Sequence, residues 1–133
     1  MNSIPSPYYQ QRIMAIDDED EIVALVKMCL GRQGYSVSCF TDPIEALGHF
    51  EHEGGNYRLV ISDIRMPTMN GYQLVRKILE MKPDIKVILM SAFEINPNEF
   101  SKVLPSVKID GFICKPASLK QIINVVRTHI PSI

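Results

Sequence analysis

The sequence predicts an α/β protein built on a parallel sheet covered by helices on both faces. Short apolar runs alternate with amphipathic stretches five times between Arg12 and Ile130, and parallel neighbours need crossovers of helix length. Three of the runs, IMAI, LVI and VILM, are apolar without interruption, as strands buried on both faces must be. Side chains that can cap a helix stand at the starts of most of the intervening stretches.

Residues 1–11 carry two prolines and several small polar groups without periodicity, the pattern of a flexible tail. The first strand is expected over Arg12 to Ile16, and the acidic run after it favours the start of a helix through the helix dipole, Asp20 and Glu21 above all. Gly34 supplies the stop for that helix. Tyr35 to Phe40 alternates apolar with polar residues and so belongs to an edge strand. Asp42 with Glu45 is spaced as a capping box, Pro43 falls at the first helical position, and Gly54 ends the segment.

The third strand covers Leu59 to Ser62. Asn70 with Gln73 opens the next helix, and Pro83 follows it. The fourth strand is Lys86 to Met90. Asn96 with Glu99, and Pro97 after the cap, start a further helix that stops before Pro105. Phe112 to Cys114 is the last strand, and Ser118 with Gln121 opens the last helix, which Pro131 terminates. Leu119, Ile122, Ile123, Val126 and Ile130 form one stripe at a 3.6-residue period, for which packing is a sufficient cause.

At 133 residues, 46% hydrophobic and 22% charged, the chain has the size and balance of one globular domain. Its 14 basic and 15 acidic side chains leave a formal charge of −1, so no global positive field exists to hold nucleic acid or anionic lipid. Apolar runs such as Val87 to Met90 fall far below the ~18 residues that span a bilayer. The start of the chain lacks the basic and apolar regions of a secretion signal, so a cytoplasmic location is expected. Cys29, Cys39 and Cys114 are odd in number and widely spaced, which predicts reduced, mostly buried thiols rather than disulfides or zinc. His49, His52 and His129 read as surface residues.

The chemistry collects where strands end. The first strand runs into Asp17 and Asp18, the third into Asp63, the fourth into Ser91 and the fifth into Lys115. In an open parallel sheet those ends line one crevice. Clustered carboxylates repel one another unless a cation is present, and an all-oxygen donor set selects a hard ion, which points to Mg²⁺. A calcium EF-hand over the acidic run is excluded, because no glycine occurs between Asp17 and Leu30. A metal beside a carboxylate and a lysine suits phosphoryl transfer. Asp63, at the end of the central strand, is then the natural acceptor, since an aspartate can form an acyl phosphate.

MAIDDED, LVISDIRMPTMNGYQL, VILMSAF and GFICKP together resemble the receiver domain of two-component response regulators, over residues 12–130. The resemblance implies a flavodoxin-like, doubly wound, five-stranded parallel sheet of order 2-1-3-4-5 with five helices, an order for which this family is a standard example. It implies that Asp63 is the phosphoacceptor, and that Asp17, Asp18, Asp63 and the backbone carbonyl of Arg65 hold Mg²⁺. By the same resemblance Lys115 and Ser91 contact the phosphoryl group, while Ser91 and Phe112 act as the switch. Lacking a hydroxyl, Phe112 would switch through packing. Arg65 and Phe93 take the positions that tune dephosphorylation, and Lys115-Pro116 matches a peptide that is typically cis.

The resemblance also implies a sensor histidine kinase or phosphotransfer protein as donor, and a protein that catalyses only its own phosphorylation and dephosphorylation. Output is expected through a downstream protein partner or a phosphorylation-dependent dimer, without direct nucleic-acid or membrane binding. No output domain is expected in residues 131–133. The expected output face combines the 96–105 helix, the fifth strand and the last helix, with Phe100, Val103, Leu104 and Ile109 as its apolar residues. Two alternatives stand beside this reading. One is a small haloacid-dehalogenase-type phosphatase, whose opening motif Asp18 to Ile22 nearly mimics. The other is a receiver-like interaction module that is never phosphorylated.

Overall fold

A computed structural model describes residues 11–92 and 107–131. Residues 1–10 of the expected tail, Phe93, the Asn96–Glu99 cap with Pro97, Phe100, Val103, Leu104, Pro105 and residues 132–133 lie outside the described residues. The chain alternates β1 (Arg12–Ile16), α1 (Asp20–Arg32), β2 (Ser36–Phe40), α2 (Pro43–Glu53), β3 (Tyr57–Asp63), α3 (Gly71–Met81), β4 (Lys86–Ser91), β5 (Gly111–Cys114) and α4 (Leu119–His129). The five strands form one sheet in the order β2-β1-β3-β4-β5, and every pairing is parallel. The fold is the predicted flavodoxin-like one, with four α-helices among the described residues.

Alternation along the strands divides the core in two. Ile13, Ala15, Leu59, Ile61, Ile88, Met90 and Ile113 face α1 and α4, packing against Val26, Leu30, Ile122 and Val126. Met14, Ile16, Val60, Val87 and Leu89 face the other way, against Ala46 and Phe50 of α2 and Leu74, Val75 and Ile78 of α3. This is why IMAI, LVI and VILM carry no polar residue. Strand β2 lies at the edge, as its alternation predicts.

Several boundaries differ from the expectation. Strand β3 begins at Tyr57, two residues early, because exposed Arg58 hides the start of the run from a reading of hydrophobicity. Tyr57 is wholly buried and pairs with Arg12 across a register shift. Tyr35 precedes β2, and its hydroxyl instead donates to the Ile130 carbonyl at 2.5 Å. Gly34, at φ 96°, turns the chain between α1 and β2 as predicted. Gly54 caps α2, which ends at Glu53 as predicted, but stays right-handed with φ −60° and leads into a 3-10 turn over Gly54–Asn56.

Of the three capping boxes predicted within the described residues, those at Asn70/Gln73 and Ser118/Gln121 are present with both bonds. Asp42 caps α2 through the Ile44 amide at 2.9 Å, without the reciprocal bond from Glu45. Asp20 and Glu21 lie exposed in the first turn of α1. Leu119, counted in the apolar stripe, is exposed because it opens the helix beyond the reach of the sheet. Ile122, Val126 and Ile130 are buried. Cys29 is buried and Cys39 half-buried, whereas Cys114 is exposed, a correction that follows from its outward place on edge strand β5. His49 is half-buried rather than a plain surface residue, with its Nε2 2.7 Å from the Tyr57 hydroxyl.

Candidate functional site

The carboxyl ends of β1, β3, β4 and β5 meet at one edge of the sheet. Ile64 donates its amide to the Met90 carbonyl at 3.0 Å, and Lys115 donates its own to the Ser91 carbonyl at 2.8 Å. These bonds carry the sheet one residue past the strand ends and fix the bases of the site side chains. The Lys115-Pro116 peptide is cis. Asp17 is wholly buried, Asp63 and Ser91 are nearly so, and Asp18 is exposed at the mouth.

Asp17, Asp18 and Asp63 each offer an oxygen within 4.8 Å of the others. Lys115 Nζ stands among them, 2.6 Å from Asp17 Oδ2 and 3.4 Å from Asp63 Oδ1, with the exposed Glu19 at 4.0 Å. Asp17 Oδ1 accepts the Glu19 amide at 3.0 Å. Its Oδ2 is charge-paired with Lys115 but receives no hydrogen bond of ordinary geometry. The demand of this buried carboxylate for a cation is met by the Lys115 ammonium.

The electrostatics reflect the crowding. Burial, and then the charge of Asp17, push Asp63 up to about 6 from 3.8, against the pull of Lys115. Burial also raises Asp17, although Lys115 opposes it. For Lys115 burial alone would lower the value, yet Asp17 and Asp63 hold it above the ordinary lysine range.

The fold therefore brings five predicted residues to one edge: Asp17, Asp18, Asp63, Ser91 and Lys115. Arg65 sits two residues beyond β3 with an exposed side chain, and Phe112 is half-buried on β5 against the α3-side core. Phe93 lies outside the described residues. Glu19 was not singled out as a site residue from the sequence. Its place directly after the acidic pair was the one available signal.

The model of the response regulator receiver domain matches residues 13–127. This chain belongs to the response regulator receiver domain family. The match leaves the phosphatase alternative without support. The receiver is 35% identical over 115 residues to sensor kinase CckA of Brucella abortus, covering 86% of this chain and 12% of that protein. It is 27% identical to the response regulator receiver protein CpdR of the same organism, covering 87% of this chain and 93% of CpdR. The solved structure of response regulator TrrA from Thermotoga maritima, in complex with Mg²⁺ and a beryllium fluoride, superimposes with a TM-score of 0.77. That pair is 31% identical, covering 91% of this chain and all of TrrA. The receiver spans half or less of the length of most of the curated relatives it matches. Among the described residues no helix is long and apolar enough to cross a membrane.

Proposed function

We propose that this receiver accepts a phosphoryl group on Asp63 from a phosphohistidine of a sensor histidine kinase or phosphotransfer protein. The observation that carries the reading is the buried Asp63 carboxylate at the crevice centre, with Lys115 Nζ 3.4 Å away and the Asp17 and Asp18 carboxylates beside it. An Asp63 oxygen attacks phosphorus, the P–N bond breaks, and its electron pair stays on the imidazole. The product is an acyl phosphate on a neutral donor histidine. Lys115 holds its proton throughout and pairs with a phosphoryl oxygen, and Ser91 offers a hydroxyl to another.

The all-oxygen donor set, buried at Asp17 and Asp63 and open at Asp18, fits Mg²⁺, which Asp17, Asp18, Asp63 and the Arg65 carbonyl would hold. When bound, the ion neutralises charge on the transferring phosphoryl group. The receiver acts on no separate substrate. Modification biases a two-state equilibrium, with Ser91 and Phe112 as the moving parts. Because Phe112 has no hydroxyl, its response is one of packing. Output passes to a downstream protein partner or to a phosphorylation-dependent dimer, and the formal charge of −1 offers no field for direct nucleic-acid binding. We place the receiver unit at residues 12–130.

Incubation with Mg²⁺ and a small-molecule phosphodonor should add one base-labile phosphoryl group by intact mass, and Asp63→Asn should add none. An unchanged mass for the wild-type chain would reduce the domain to the unphosphorylated interaction module. Arg65 and Phe93 are neither carboxylate nor amide, so neither orients an attacking water, and the acyl phosphate is expected to be long-lived. Decay of the isolated phosphoprotein within seconds would contradict that expectation.

A further inference from the structure

Gly71 opens α3 and is buried. Its amide donates to the Ile64 carbonyl at 2.7 Å, closing the neck of the 64–70 loop. A Cβ at Gly71 would stand 2.2 Å from the Asp63 carbonyl oxygen, and 3.0 Å from the Asp63 carbonyl carbon and Ile64 Cα. These are backbone atoms, which cannot swing aside as a side-chain tip does. Gly34 is the one described glycine with positive φ, so the demand at position 71 is for close approach rather than for an unusual dihedral.

The same carbonyl is engaged from a second side, where Ser62 Oγ donates to it at 2.9 Å. One residue on, the Ile64 amide is held by β4. The peptide that follows Asp63 is thus seated on three sides, and its orientation sets where the Asp63 side chain leaves the backbone and where the chain runs toward Arg65. We infer that Gly71 is a positioning residue, whose missing side chain lets α3 seat against the Asp63 carbonyl and so aims the Asp63 carboxylate and the Arg65 main chain into the crevice. This rests on the reading of Asp63 as phosphoacceptor and metal ligand.

The test compares Gly71→Ala with two controls. Gly48→Ala adds a methyl where nothing lies within 4 Å. Asn70→Ala removes the capping box of the same helix without placing an atom against Asp63. Three quantities are measured: Mg²⁺ affinity of the unphosphorylated protein by calorimetry, metal-free NMR shifts of the Asp63 carboxyl carbon and the Arg65 amide, and phosphorylation rate. Gly71→Ala should move the shifts and lower affinity and rate by about 10-fold or more, since small misplacements cost this much. Asn70→Ala should lose stability while keeping both within about twofold, and Gly48→Ala should match wild type. Wild-type shifts and affinity in Gly71→Ala, or losses in both α3 variants that track stability, would overturn the inference. If Gly71→Ala does not fold, a glycine inserted after Thr68 gives α3 room to step back. Equal affinity with Gly or Ala at 71 in that background would also overturn it. A wild-type chain that binds no Mg²⁺ and takes no phosphoryl group would instead defeat the functional reading, while the NMR shifts would still report on Gly71.

Discussion

Asp63 carries a heavy electrostatic burden. It keeps its proton to about 6 in the folded chain, whereas the unfolded chain gives it up near 3.8. As pH rises through that window the unfolded state loses its proton first, so this group lowers stability progressively, and the full penalty stands above the window. The metal-free protein should therefore lose unfolding free energy between about pH 4 and about pH 6, and Asp63→Asn should flatten that slope and be the more stable form at about pH 7. Denaturant titrations across pH check it; parallel curves for the two proteins would assign the slope elsewhere. The identities of these residues were legible in the sequence because polar groups ending apolar strands have few other reasons to be there. The Glu19 contact and the Gly71 close approach were not, since each depends on a distance between segments.

At the scale of elements, capping and periodicity were readable because they are local: a cap needs only its own next three residues. The boundaries that shifted are those where a distant partner intervenes. Tyr57 joins β3 because Arg12 pairs with it, and Tyr35 leaves β2 to bond the end of α4. That end of α4 is also tied by Arg127 to Gln33 at 2.8 Å and by Gln11 to the Pro131 carbonyl. Tyr35→Phe leaves the Ile130 carbonyl short of a donor in a buried setting, so unfolding free energy should fall by about 1–2 kcal/mol with the phosphorylation rate unchanged. A change in rate would show that the base of α4 communicates with the crevice.

The whole molecule balances an uncharged total against a charged edge. Its formal charge of −1 conceals three carboxylates facing one ammonium, an arrangement that costs stability until a cation arrives. Mg²⁺ should raise unfolding free energy by about 2.7 kcal/mol at about 100 times its dissociation constant, and this gain should largely vanish in Asp17→Asn. Thermal unfolding with and without the ion measures it; an equal gain in the variant would place the bound ion elsewhere. Fold class and strand order were legible through the apolar runs and the family motifs, because burial on two faces leaves an unmistakable composition and each motif is contiguous in the chain. The site's charge balance belongs to the folded state. The ion pairs of Lys115 with Asp17 and Asp63 join residues 98 and 52 positions apart in the chain, and their strength follows from burial and distance, quantities that exist only after the sheet has assembled.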